Sequence, residues 1–349
     1  MDAEDAEVKK KGIAQNNKYS LCFFTFASSA RGSLSVSIPG NPMNWLDWIL
    51  TGARFVSLAS AILLAAIFGF CLLIGRTTRS EFFPKRLTLI LELAACLGQV
   101  AWVCALFWSM DPDAGSGGFE EFNAFFFGTQ VGKIGLLRCC LLVLLAGYSA
   151  FRIYRSTRRM SRPPSLASWI ESVLVLIQLV LLSWLSHAAA VVGPFGWLQL
   201  GNDILHLSSV AIWPGGLVPL WLLLEQTAPA PVKRDALLRF SNVAVIVAPL
   251  VGATGVLSGY FRVHSILPLI TTPYGRYVTL KAACFFVLIG LGAANRLRLM
   301  PEIVGAPAEV ATSAGSWRKL HRNILIEQLI FVIVMLAVAR LVQLPPPEG

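Results

Sequence analysis

The chain has 349 residues, 56% of them hydrophobic and 14% charged, with a net charge of +10 and a mean hydropathy of +0.66. A composition this apolar excludes an ordinary soluble globule and points to an all-α, polytopic membrane protein. The positive balance reads as basic loops against anionic lipid, not as nucleic-acid binding.

A hydrocarbon core of about 30 Å takes roughly 20 apolar residues in a helix. Eight segments meet that length: 51–75, 87–109, 133–151, 169–191, 203–225, 240–261, 275–295 and 323–343. They divide the chain into an N-terminal tail (1–48), a first four-helix half (49–192) and a second four-helix half (193–349). In the tail, residues 8–30 have a basic start, a short apolar patch and a Ser28-Ser29-Ala30 end. That pattern reads as a cleaved signal, a start site placed too far upstream, or a translocated tail.

Along the chain, the loop after the first segment carries Arg76, Arg79, Lys85 and Arg86, and the loop after the third carries Arg152, Arg155, Arg158, Arg159 and Arg162. The fifth is followed by Lys233, Arg234 and Arg239, and the seventh by Arg296, Arg298, Arg318, Lys319 and Arg322. The alternate loops are poor in cations: 110–132 holds Asp111, Asp113, Glu120 and Glu121, and 188–202 holds no charge. The cation bias predicts that the basic loops are cytoplasmic and that both termini lie outside.

Within the segments, Arg54, Arg138 and Lys281 read as snorkelling cations. Glu92 and Glu327 read as partners of loop arginines, with an inner pair or an exit site as the alternatives. Cys71, Cys96, Cys104, Cys139, Cys140 and Cys284 all fall in apolar segments and read as packing residues rather than a disulfide framework.

The most informative stretch runs from His187 to Leu220. Asp203 and His206 are three apart, so on a helix beginning near Asn202 they share a face. His187 closes the preceding apolar run on the same outer side, and His264 lies in the outward loop 262–272. The bland reading is a set of interfacial hydrogen-bonded residues. Ionisable groups at membrane depth are costly and usually functional, which makes a metal or proton site the competing one. Imidazole suits several transition metals, and Asp203 serves either as ligand or as the group orienting His206. His321, among basic residues on the inner side, reads as a solvated loop residue. Trp213, Gly215 and Gly216, in the WPGG after His206, read as a kink that is either a packing notch or a permeation element.

Thr129-Gln-Val-Gly-Lys-Ile-Gly-Leu-Leu-Arg138 and Thr272-Pro-Tyr-Gly-Arg-Tyr-Val-Thr-Leu-Lys281 share Thr, Gly, a base, Leu and a second base in register. Segments four apart keep the same direction, so the pattern predicts a parallel internal repeat of two four-helix halves. The same alignment lays Arg54-Phe-Val-Ser-Leu-Ala-Ser60 over Asp203-Ile-Leu-His-Leu-Ser-Ser209. Only the second copy holds the ligand pair. No Walker loop, CxxC, HExxH or dinucleotide-binding turn is present, so the residues support no enzyme and no ATP-driven pump.

The run SHAA, then DILHLSSVAIWPGGLVPL, FSNVAVIVAPLVGATGVLSGY and TPYGRYVTLKAACFFVLIGLGAANRLRLMP resembles the copper resistance protein D family, the CopD and PcoD type. The likeness covers His187 to Pro301, with an echo in Ala53–Gly69 and Thr129–Leu145. It implies an eight-helix bacterial inner-membrane protein of copper resistance or homeostasis. Such a protein carries Cu(I) or Cu(II) inward from the periplasm and works beside a periplasmic copper carrier of the CopC type. The matching metal positions are His187, Asp203 and His206, with His264 the weakest. Cys104, Cys139, Cys140 and Cys284 are then alternative soft ligands for Cu(I). Two further readings stand beside the permease: a membrane haem protein for electron transfer, and a non-transporting copper-binding assembly or sensor component.

Overall fold

The computed structural model describes residues 44–74, 85–110, 114–156, 166–186, 193–263, 265–305 and 313–345, with Phe83, Ala189, Val191 and Pro347. The described residues are helical, with no strand among them. The tail up to residue 43 lies outside them, and so do His187 and His264.

The helices are α1 (Trp45–Ile74), α2 (Lys85–Met110), α3 (Ala114–Asn123), α4 (Gln130–Ser156), α5 (Leu166–Ser183), α6 (Pro194–Ile212), α7 (Leu217–Glu225), α8 (Ala230–Arg262), α9 (Pro268–Thr271), α10 (Pro273–Ala294), α11 (Met300–Gly305) and α12 (Ser313–Leu341). Among the described residues, seven helical stretches are long and apolar enough to cross a membrane, and the apolar part of α5, Ile170–Ser183, is a shorter eighth. Each corresponds to one of the eight apolar segments of the sequence. The protein is therefore an all-α polytopic membrane protein.

α1 is the central helix. Two-thirds (67%) of its most apolar window lies inside the bundle, against 6% for the span that begins with α10. It packs against α2, α5, α6, α7, α8 and α12. Asn44 starts it by accepting from the Asp47 amide (2.8 Å), while Asp47 reaches back to the Asn44 amide (3.3 Å), a reciprocal cap that satisfies two amides otherwise left over at a helix start. The two described chain ends meet on one face of the bundle: Arg340 pairs with Asp47 (3.5 Å) and Gln343 donates to Thr51 Oγ1 (3.0 Å). These contacts define the terminal face of the bundle.

Two helix boundaries differ from the expected ones, and both move the site. α6 begins at Pro194, not near Asn202, because Gly193 takes a φ of 91° and Pro194 supplies a pre-set first turn. Asp203 thus lies between two and three turns inside a helix rather than in its first turn. α5 ends at Ser183, and the chain turns through Leu185 and Ser186, whose amides bond to Leu182 and Ser183 (both 3.1 Å).

The break between α6 and α7 falls on Trp213–Gly216. Pro214 has no amide proton, and Gly215 reaches back to the Val210 carbonyl (2.9 Å). A Cβ on Gly215 would stand 3.0 Å from Ile62 of α1, and one on Gly216 2.8 Å from the Phe240 ring of α8. Trp213 is buried, edge-on to Phe285 (6.0 Å). All of this is the geometry of a packing notch.

The two similar segments are built alike. Thr129 and Thr272 each accept from the amide three residues on, Gly132 and Gly275 (both 3.0 Å), and each hydroxyl donates to the carbonyl four residues back, Phe125 and Pro268 (both 2.7 Å). Gly132 and Gly275 lie so close to that same preceding turn that a Cβ would stand 2.2 Å from the Phe125 oxygen and 2.0 Å from the Pro268 oxygen. Only glycine fits either position.

Candidate metal entry site

Asp203 and His206 project from α6 toward α8, and α8 meets them with a polar stripe of Thr254, Ser258 and Arg262. Arg262 Nη2 donates to both Asp203 oxygens (3.2 and 3.1 Å). Ser186, from the turn after α5, donates to Oδ2 (2.7 Å), and Ser258 to Oδ1 at the long distance of 3.4 Å. Asn202 anchors the same helix pair through the Thr254 carbonyl (3.1 Å) and Ser258 Oγ (2.8 Å). Both members of the ion pair keep some exposure, 16% for the Asp203 side chain and 17% for Arg262.

The Thr254 hydroxyl assigns the tautomer of His206. It donates to the Leu250 carbonyl of its own helix (2.6 Å), so its lone pair accepts from His206 Nδ1–H (2.8 Å). The lone pair of His206 then lies on Nε2, the arrangement in which a metal-binding imidazole is held by its other nitrogen. Lys281 of α10 lies near enough to feel Asp203, Arg262 and His206. The site is therefore electrically mixed: one carboxylate and one imidazole against two cations.

Of the residues singled out in the sequence, Asp203 and His206 come together, while His187 and His264 lie outside the described residues. Among the described residues no three His, Cys, Asp or Glu side chains gather into a metal-binding group. Trp213, Gly215 and Gly216 belong to the notch and not to the ligand cluster. Thr254, Ser258 and Arg262 escaped the sequence reading, although their spacing of four on an apolar helix is a visible signal of a polar face.

Other expectations are corrected by the geometry. Arg54 and Arg138 do not snorkel: they are 3% and 0% exposed and turn into the bundle. Glu92 and Glu327 are not paired with loop arginines. Glu92 accepts from Ser149 (2.9 Å) and Glu327 from Asn295 (2.6 Å), which Asn323 holds in turn (2.7 Å). It is Glu171 that pairs with a basic-loop residue, Arg152. His321 sits within α12, not a loop, and its Nδ1 meets Glu225 at 2.8 Å.

Two family models account for most of the chain. One, described as copper resistance protein D, matches residues 234–341, and another, copper resistance protein D-like, N-terminal domain, matches residues 45–197. The chain belongs to the copper resistance protein D family. Among curated relatives of this CopD-type protein, the copper transport protein CutJ of Bacillus subtilis (strain 168) is 27% identical over 279 residues, 77% of this chain and 48% of the relative. Copper resistance protein D of Pseudomonas syringae pv. tomato is 28% identical over 202 residues, 56% of this chain and 61% of that one. Inner membrane protein YebZ of Escherichia coli (strain K12) is 31% identical over 133 residues, 38% and 46% of the two chains. The CopD-type chain spans about half the length of the curated relatives it matches. No solved structure matches it. The family names are those of copper resistance and copper transport proteins, and its members include an inner membrane protein, so this is a multi-pass inner-membrane protein of a copper-handling family.

Proposed function

We propose that the protein takes copper at its terminal face and passes it inward, from periplasm to cytoplasm, without ATP. His206 and Asp203 form the heart of the entry site. The observation that carries this reading is the Thr254–His206 bond, which leaves the ring's lone pair on Nε2, on the helix face that also carries the partly exposed Asp203 carboxylate. His187 and His264 are the further ligands we assign. His187 directly follows Ser186, whose hydroxyl donates to Asp203, and His264 follows closely on Arg262. The basic loops of the opposite face support placing the terminal face, with both termini, in the periplasm.

Arg262 holds the carboxylate that copper needs. An arriving ion takes over the counter-charge role, so Arg262 gives up Asp203 as copper binds. A soft Cu(I) held by two imidazoles and a Cu(II) that adds the carboxylate are both served by this donor set. Delivery by a periplasmic carrier of the CopC type fits a site that opens on that side. The two four-helix halves, 49–192 and 193–349, are on this reading related copies, of which only the second keeps metal ligands.

Copper stoichiometry, oxidation state and flux in one reconstituted preparation test the proposal. Replacing His206 or His187 with Ala is expected to weaken copper binding by about a hundredfold, roughly 2.7 kcal/mol, and to stop uptake. Unchanged binding and uptake would overturn the site. Full binding without flux in the unmodified protein would replace the permease by a sensor or assembly component, and a Soret band would replace it by a haem protein.

A further inference from the structure

The terminal-face ends of α1, α2 and α4 enclose a second polar cluster that the copper reading does not use. Arg54 and Ser57 come from α1, Gln99 and Trp102 from α2, and Arg138 from α4, and each is at most 5% exposed. Arg138 Nη1 donates to Ser57 Oγ (2.7 Å) and contacts Gln99 Oε1, to which the Ser57 hydroxyl also points (3.2 Å). Arg54 lies over the Trp102 ring (4.5 Å) and reaches the Leu185 carbonyl at the long distance of 3.4 Å.

What stands out is the imbalance. Arg54 Nε and Nη1, Arg138 Nε and Nη2, and Gln99 Nε2 are buried and without a hydrogen-bond partner. All five are nitrogen donors. Among the described residues the two arginines have no ion pair. The electrostatic neighbours of Arg138 are Arg54 itself and the thiols of Cys96 and Cys139, with no carboxylate among them. Among the described residues two like charges therefore lie together out of water, with donors to spare and no negatively charged acceptor. Buried polar groups are almost always satisfied, and buried charges paired. A water molecule would accept some of these bonds but bring no charge. The Trp102 face offsets part of the Arg54 charge alone. The group that completes the cluster is a compact acceptor carrying negative charge.

We infer that Arg54, Arg138 and Gln99 form a buried binding site for a small inorganic anion, a halide or a compact oxyanion. The fork geometry of two guanidinium groups suits either. A lipid headgroup does not fit, because each residue of the cluster is at most 5% exposed. The site is separate from Asp203 and His206, and stands whether or not those residues bind copper.

The full chain in detergent, held at constant ionic strength while gluconate is exchanged for chloride, bromide, nitrate or bicarbonate, provides the test. The melting temperature is expected to rise by roughly 2 °C for each tenfold increase in a bound anion above its Kd. Arg138→Gln is expected to remove that rise, while Arg239→Gln, at the surface, keeps it. A rise with chloride and bromide alone assigns a halide, and a rise with bicarbonate or nitrate alone assigns an oxyanion. Should Arg138→Gln fail to fold, the unmodified protein crystallised in bromide is expected to show an anomalous peak between Arg54 and Arg138. A melting temperature indifferent to the anion, an equal rise in Arg138→Gln, or a bromide map with no peak there would each overturn the inference.

Discussion

At the terminal face two polar clusters stand on the same kind of scaffold and hold opposite contents. Around Asp203, a carboxylate and an imidazole meet Arg262 and Lys281 at partly exposed positions. Around Arg138, two guanidinium groups meet Ser57, Gln99 and an indole with almost no exposure. In each, a Thr-capped helix wedged against the preceding turn by a glycine brings in a base between two and three turns down, Lys281 in one and Arg138 in the other. The backbone device therefore does not choose the ligand. Charge and exposure do: the cluster with an imidazole and a partly exposed carboxylate suits an arriving cation, and the buried dicationic one suits an anion that stays.

The strongest way to break this comparison is at the two glycines. Gly132→Ala and Gly275→Ala each force a Cβ to within about 2 Å of a backbone oxygen, and overpacking of this kind costs about 1–3 kcal/mol or more. Thermal unfolding should fall in both variants, whereas Gly128→Ala, with open space around it, should fall much less. A loss in one cluster only would mean that the two are not built alike. Thr254→Val sharpens the difference in content. It removes the hydroxyl that accepts from His206 Nδ1–H, so copper affinity should drop about tenfold while the anion-dependent melting stays unchanged. Isothermal titration with copper reads the first effect, and unchanged copper affinity would remove Thr254 from the site. The smallest effect is expected at the caps. Thr129→Ala and Thr272→Ala each lose an N-cap bond worth about 1 kcal/mol, and the two melting temperatures should fall by similar amounts.

Much of this molecule was legible because it depends on neighbours a few residues away. The eight apolar stretches follow from length and hydropathy, and Asp203 and His206 share a face because helical periodicity puts residues three apart together. Their partners were not legible. Thr254 and Arg262 reach them from 48 and 59 positions further along the chain, and nothing in local pattern ties one polar stripe to another. Glu92 and Glu327 show the same limit, since the residues that donate to them lie on other helices.

The sequence by itself determined that the chain is a helical membrane protein, and its motifs placed it in a copper-handling family, because hydropathy over twenty residues and short spaced motifs are properties of a single strand of chain. Only the tertiary structure decided which charges turn inward. A lone arginine near a helix end has the stem to snorkel, and it stays in the interior only where other helices bring hydroxyls, amides and a ring to meet it. That is the case for Arg54 and Arg138, and it is the packing of α1 between α2 and its other neighbours that makes it so.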